Sequence, residues 1–125
     1  MKKILVIEDE VFIRDNLMEL LEIEGFEAVG ADNGSVGVQK AKQERPDLIL
    51  CDVMMPELDG FAVLEKLRQD TATAEIPFMF LTASADRTNL QKLRELGMND
   101  YILKPFNVDK FLSIVANRLN NSSLT

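Results

Sequence analysis

The chain contains no histidine and no tryptophan, and it has a single cysteine, Cys51. Each shortage closes a class of chemistry. A metal held here must rest on oxygen, because imidazole is absent and the lone thiol stands inside an apolar run. One cysteine builds no disulfide framework, so the expected compartment is the reducing cytosol. Basic residues are also short, 14 Lys and Arg against 21 Asp and Glu for a net charge of −7. That balance gives no electrostatic footprint for autonomous binding to nucleic acid or to an anionic membrane, and points to proteins or a cation as partners. Long hydrophobic runs are missing too. Met1-Lys2-Lys3 leads only into Ile4-Leu5-Val6-Ile7, well short of a secretory core. At 125 residues the chain is expected to form one domain, residues 1–119, with 120–125 as a flexible tail lacking a core-forming pattern.

Against these absences stands a set of short apolar runs that end in polar groups. Leu48-Ile49-Leu50-Cys51 is followed by Asp52 and the loop Val53-Met54-Met55-Pro56-Glu57-Leu58-Asp59-Gly60. A run of this length bounded by a turn signal reads as a buried strand, which delivers Asp52 to the rim of a sheet. Ile4-Leu5-Val6-Ile7 ends in Glu8-Asp9-Glu10, Phe78-Met79-Phe80-Leu81 ends in Thr82, and Tyr101-Ile102-Leu103 ends in Lys104-Pro105. If these strands are parallel, their carboxyl ends share one edge and bring Glu8, Asp9, Asp52, Thr82 and Lys104 together.

Helical patterns alternate with the strands. Ile13, Leu17, Leu20 and Leu21 mark one face of a helix over Val11–Glu24 that Gly25 ends. Phe26–Gly30 reads as a less apolar strand nearer an edge, Asp32-Asn33-Gly34 as a turn, and Val36–Arg45 as a helix stopped ahead of Pro46. Gly60–Arg68 is the third helix, with Asp59 organising the loop before it and a polar, mobile exit over Gln69–Glu75. Asp86–Leu96 and Val108–Leu119 complete the set. Alternating strands and helices of this length define an α/β, doubly wound, flavodoxin-like (βα)5 sheet, all parallel, whose expected strand order 2-1-3-4-5 puts the Glu8-Asp9 and Asp52 strands beside the switch point.

The order of these motifs resembles the receiver domain of two-component response regulators over about residues 2 to 119. The resemblance rests on Glu8-Asp9 after the first strand, the Asp52 to Gly60 segment after the third, Thr82-Ala83 after the fourth and Lys104-Pro105-Phe106 after the fifth. Singly each residue has an ordinary use: Asp9 as a helix cap, Asp52 as a turn starter, Thr82 as a cap, Lys104 as a solvated surface lysine. Their coincidence at one sheet edge outweighs those uses.

The chemistry follows from charge. Two carboxylates about 5 Å apart repel by roughly 3 kcal/mol at an effective dielectric near 20, so clustered acids need a cation or shifted pKa values. An all-oxygen site selects Mg²⁺ or Mn²⁺. The resemblance implies that Asp9 and Asp52 ligate directly, Glu8 partly through water and Met54 through its backbone carbonyl. It implies further that Asp52 takes a phosphoryl group from a sensor histidine kinase or a histidine phosphotransfer protein, with Thr82 and Lys104 holding the transferred oxygens, and that the chain catalyses only its own phosphorylation and dephosphorylation. Switching is expected through Thr82 and Tyr101, remodelling the face of the fourth helix, fifth strand and fifth helix toward a downstream protein, an output domain or a second copy in a phosphorylation-dependent homodimer. Met54 and Ser84 are expected to tune the phosphoryl lifetime, and the bond before Pro105 to be cis.

Two alternatives stand beside this reading. One is a phosphorylation-independent docking module of the same fold. The other is a phosphatase of the haloacid dehalogenase type, disfavoured because Glu8-Asp9-Glu10 does not supply its D-x-D motif and Asp52 is followed at +2 by Met54. Within the resemblance, Glu8 replaces the more frequent Asp. The fifth helix, with Asp109-Lys110-Phe111-Leu112-Ser113-Ile114, lacks the charged residues typical of receivers joined to winged-helix DNA-binding domains, which tilts the expectation toward a stand-alone regulator or another kind of output.

Overall fold

The computed structural model describes residues 1–83, 86–98 and 101–124, with backbone alone for 121–124. In chain order the elements are β1 (Lys3–Ile7), α1 (Val11–Ile23), β2 (Glu27–Ala31), α2 (Gly34–Glu44), β3 (Leu48–Asp52), α3 (Gly60–Gln69), β4 (Phe78–Ala83), α4 (Arg87–Glu95), β5 (Tyr101–Lys104) and α5 (Val108–Leu124). The strands form one parallel sheet in the order β2-β1-β3-β4-β5, which is the expected α/β topology.

The uninterrupted apolar runs have a direct structural cause. Successive strand residues point to opposite faces, and both faces are covered by helices. Leu5, Ile7, Ile49, Cys51, Phe78 and Phe80 enter one core with Ala41 of α2, Val63 and Leu67 of α3 and Leu93 of α4. Ile4, Val6, Leu48, Leu50, Met79 and Leu81 enter the other with Leu17 and Leu21 of α1 and Phe111, Val115 and Leu119 of α5. β2, with no fully buried residue before Ala31, lies on the sheet edge where its mixed composition places it.

Four local expectations change. β2 runs one residue later than the apolar pattern suggests. The Asp32-Asn33-Gly34 turn is also a helix cap, because Asn33 Oδ1 accepts the Val36 N–H at 2.8 Å and α2 starts at Gly34. The polar exit from α3 is tied down rather than loose. There the buried Thr73 hydroxyl donates to the Leu67 carbonyl at 2.7 Å, Arg68 Nη1 bridges the Ala74 and Ile76 carbonyls, and Lys42 pairs with Asp70 at 3.2 Å. Lastly, α5 continues to Leu124, beyond the expected end at Leu119 and through the segment expected to fray. No glycine or proline interrupts residues 108–124, so adding turns costs little once a helix is nucleated.

Candidate functional site

Parallel strands deliver the polar residues that follow them to one edge. Asp52 ends β3 opposite Leu81, so Thr82 is the next residue along the neighbouring strand, and Lys104 lies opposite Ala83 on β5. The Glu8 N–H donates to the Ala31 carbonyl at 3.0 Å, extending the edge by one residue beyond β1. Lys104 reaches across the end of β4. Its ammonium donates to Asp52 Oδ2 at 2.8 Å and to Glu8 Oε2 at 3.4 Å, contacts spanning 52 and 96 residues of sequence.

Glu8, Asp9 and Asp52 each offer a carboxylate oxygen, and those atoms lie within 4.8 Å of one another. Glu8 is 1% exposed and Asp52 7%, whereas Asp9 faces solvent. Asp9 does not cap α1, whose N-cap is Glu10 without a side-chain bond. The Glu8 carboxyl is pushed up from 4.5 to about 8, first by burial and then by the hydrogen bond and negative charge of Asp52. Burial pulls Lys104 the other way, but the hydrogen bond to Asp52 and the charges of Asp52 and Glu8 outweigh it, and its pKa is raised. The acids are thus partly neutralised by one lysine and one retained proton.

Thr82 is 1% exposed, and among the described residues its hydroxyl has no hydrogen-bond partner. A buried hydroxyl left unpaired costs about 1–3 kcal/mol, a penalty that a bound oxygen would remove. The Met54 N–H donates to Asp52 Oδ1 at 3.3 Å, while its side chain is 65% exposed. Tyr101 is half-buried opposite Phe80 and packs against the α3 side core. The Lys104–Pro105 bond is cis. Ser84 lies outside the described residues.

The loop after Asp52 has features that sequence reasoning passed over. A Cβ on Gly60 would collide with the Asp52 carbonyl and come within 3.0 Å of the Phe80 ring, so glycine there lets α3 start directly against the end of β3. Asp59 Oδ1 caps that helix through the Ala62 N–H at 2.9 Å, the loop-organising part expected of it. Glu57 holds φ at 67°, a left-handed conformation that a glutamate rarely adopts and that no side-chain pattern announces. Arg14 of α1 also supports the site. Its Nη1 donates to the Glu8 carbonyl at 2.9 Å and so holds the first acidic loop, a contact without a local sequence signal.

A doubly wound sheet with buried acids, an ammonium and a buried hydroxyl along one edge defines a class of α/β domain whose chemistry can accommodate a hard cation beside an anionic group. The chain belongs to the response regulator receiver domain family, whose sequence profile matches residues 4–116. It is 39% identical over 92% of its length to the DNA-binding dual master transcriptional regulator RpaA of Synechocystis, matching 48% of that protein. It is 34% identical over 94% of its length to the chemotaxis protein CheY of Bacillus subtilis, matching 98% of that one. A solved receiver domain of a signal transduction histidine kinase from Syntrophus aciditrophicus superposes with a TM-score of 0.89 at 32% identity, covering 100% of this chain and 95% of that one. The chain spans about half the length of RpaA and nearly all of CheY. Receiver domains of two-component response regulators are generally signalling modules rather than enzymes, bind Mg²⁺ at an acidic pocket, and work with histidine kinases and output domains. Among the described residues no helix is long and apolar enough to cross a membrane.

Proposed function

We propose that this chain accepts a phosphoryl group on Asp52 from the phosphohistidine of a sensor kinase or phosphotransfer protein. The observation that carries the reading is the buried Thr82 hydroxyl, without a partner among the described residues, on the strand next to Asp52, whose carboxylate Lys104 already holds at 2.8 Å. An Asp52 oxygen attacks phosphorus as the phosphorus–nitrogen bond breaks, and the bond's electron pair stays on the imidazole of the partner. Lys104 then follows the charge onto a phosphoryl oxygen, and the Thr82 hydroxyl donates to another. Glu8, Asp9, Asp52 and the Met54 carbonyl suit Mg²⁺, with Mn²⁺ as its substitute. A bound divalent ion supplies the charge neutralisation that lets an anion approach clustered acids.

Residues 1–119 form the receiver unit of this reading, acting in the cytoplasm. Satisfying Thr82 favours one position of the α4, β5 and α5 face, with Tyr101 as its aromatic reporter, and that face addresses a downstream protein, an output domain or a second copy. Its net charge of −7 gives the chain itself no footprint for DNA, and the DNA binding named for RpaA belongs to a protein twice as long. Incubation with a small acyl phosphate and Mg²⁺, followed by intact mass and peptide mapping, tests the assignment. Labelling at Asp52 that chelation abolishes is the expected result. Full labelling of Asp52→Asn would refute it.

A further inference from the structure

Most sulfur in this protein is hidden. Met79 and Cys51 are 0% exposed and Met55 8%, while Met18 and Met98 pack as half-buried members of the two cores. The Cys51 thiol is further passivated, because burial and then the charges of Asp52 and Glu8 push its pKa well above the ordinary thiol value. Met54 is the exception. It is 65% exposed, belongs to neither core, and among the described residues only the N-terminal Met1 exposes more methionine surface. Its backbone is nonetheless fixed, since its N–H rests on Asp52 Oδ1 at 3.3 Å. A free thioether therefore projects from a point anchored to the residue proposed to carry the phosphoryl group.

We propose that Met54 is a redox-sensitive modification site, and that its oxidation to the sulfoxide by a hydroperoxide shortens the life of the phosphoryl group on Asp52. This rests on the phosphoryl-acceptor reading above. In the first step the thioether sulfur attacks the peroxide. A sulfur–oxygen bond forms as the oxygen–oxygen bond breaks, sulfur loses two electrons, and the other oxygen leaves as water or an alcohol. The apolar side chain becomes one with a strong hydrogen-bond acceptor at the mouth of the site. There it can hold a water molecule in line with phosphorus, where thioether sulfur accepts only weakly. The water oxygen bonds to phosphorus, the phosphorus–oxygen bond to Asp52 breaks with its pair returning to the carboxylate, and a proton passes to solvent with release of orthophosphate. Exposure decides which methionine reacts, and position decides what the reaction does.

The experiment treats the full chain with dilute hydrogen peroxide, maps the gain of about 16 Da by peptide mass, and then phosphorylates and follows the decay of label on Asp52. Oxidation is expected at Met54 ahead of Met18, Met55, Met79 and Met98, with a phosphoryl half-life shortened about threefold or more through better water placement. Methionine sulfoxide reductase should restore the original half-life. Met1 oxidises in any variant, so Met54→Leu separates the two: whatever its own lifetime, that lifetime should be the same before and after peroxide. A half-life that ignores Met54 oxidation, or oxidation of Met18 or Met98 with Met54 spared, would overturn the proposal alone. Failure to label Asp52 before any oxidation would overturn the phosphoryl-acceptor reading and this proposal with it.

Discussion

Binding of Mg²⁺ to this protein should release a proton, and Glu8 should be its source. With its carboxyl held at about 8, Glu8 keeps its proton in roughly ten of eleven molecules at pH 7, and a cation among the acids displaces it. Release of about 0.9 proton per ion is expected at pH 7 and about 0.1 at pH 9, with apparent affinity rising about tenfold from pH 7 to its plateau above pH 8. The sign for the metal-free fold is opposite. Between 4.5 and about 8 the folded state holds a proton that the unfolded chain has lost, so stability falls as pH rises through that window. The loss is about 5 kcal/mol as an upper bound, 3.5 pKa units at about 1.36 kcal/mol each. Lys104 does not obscure this, because its raised pKa contributes stability that disappears only in the alkaline range above 10.5. Titration calorimetry at pH 7 in two buffers of different ionisation enthalpy measures the released proton, and thermal melts from pH 5 to pH 9 measure the stability. Glu8→Gln should abolish the release, weaken Mg²⁺ binding and stabilise the metal-free protein at pH 8. Equal binding heats in both buffers, with a pH-independent affinity, would refute the reasoning.

Asp9→Ala should remove most of the stabilisation by Mg²⁺, which reaches about 2.7 kcal/mol at a hundredfold excess over the dissociation constant in the parent protein; without tryptophan, melting followed by dye or by Tyr101 emission reports it. Glu57→Gly should raise stability by several tenths of a kcal/mol up to about 1 kcal/mol, because glycine tolerates φ of 67° and glutamate does not, and a lower denaturant midpoint would contradict that. Thr73→Val should cost about 0.5–1.5 kcal/mol by removing the short hydroxyl bond to the Leu67 carbonyl, which keeps the longer Asp70 N–H at 3.4 Å, and amide exchange over residues 70–76 should quicken if this bond holds the α3 exit. A beryllofluoride adduct on Asp52 should shift amides of α4 and of residues 101–104 more than those of α1, and identical spectra with and without it would rule out switching.

Much of this protein was legible in one dimension. Strands buried on both faces must be apolar at every position, so Ile4 to Ile7, Leu48 to Cys51 and Phe78 to Leu81 announce themselves, and right-handed crossovers leave few ways to order them. Once the strands are parallel, the polar residues that end them must share an edge, which is why the sequence alone groups Glu8, Asp52, Thr82 and Lys104. What the sequence left undecided depends on partners far along the chain. The α3 exit looks like a solvated loop until the Thr73 hydroxyl meets Leu67 and Asp70 meets Lys42 from another helix. Glu8 looks like any surface acid until burial and Asp52 together make it keep its proton. The Thr82 hydroxyl becomes informative only in the packed fold, where none of the described residues bonds to it. Apolar periodicity is a local property that each segment carries by itself. Desolvation, charge pairing and an unmet hydrogen bond are properties of distance in space, and only the packed fold sets those distances.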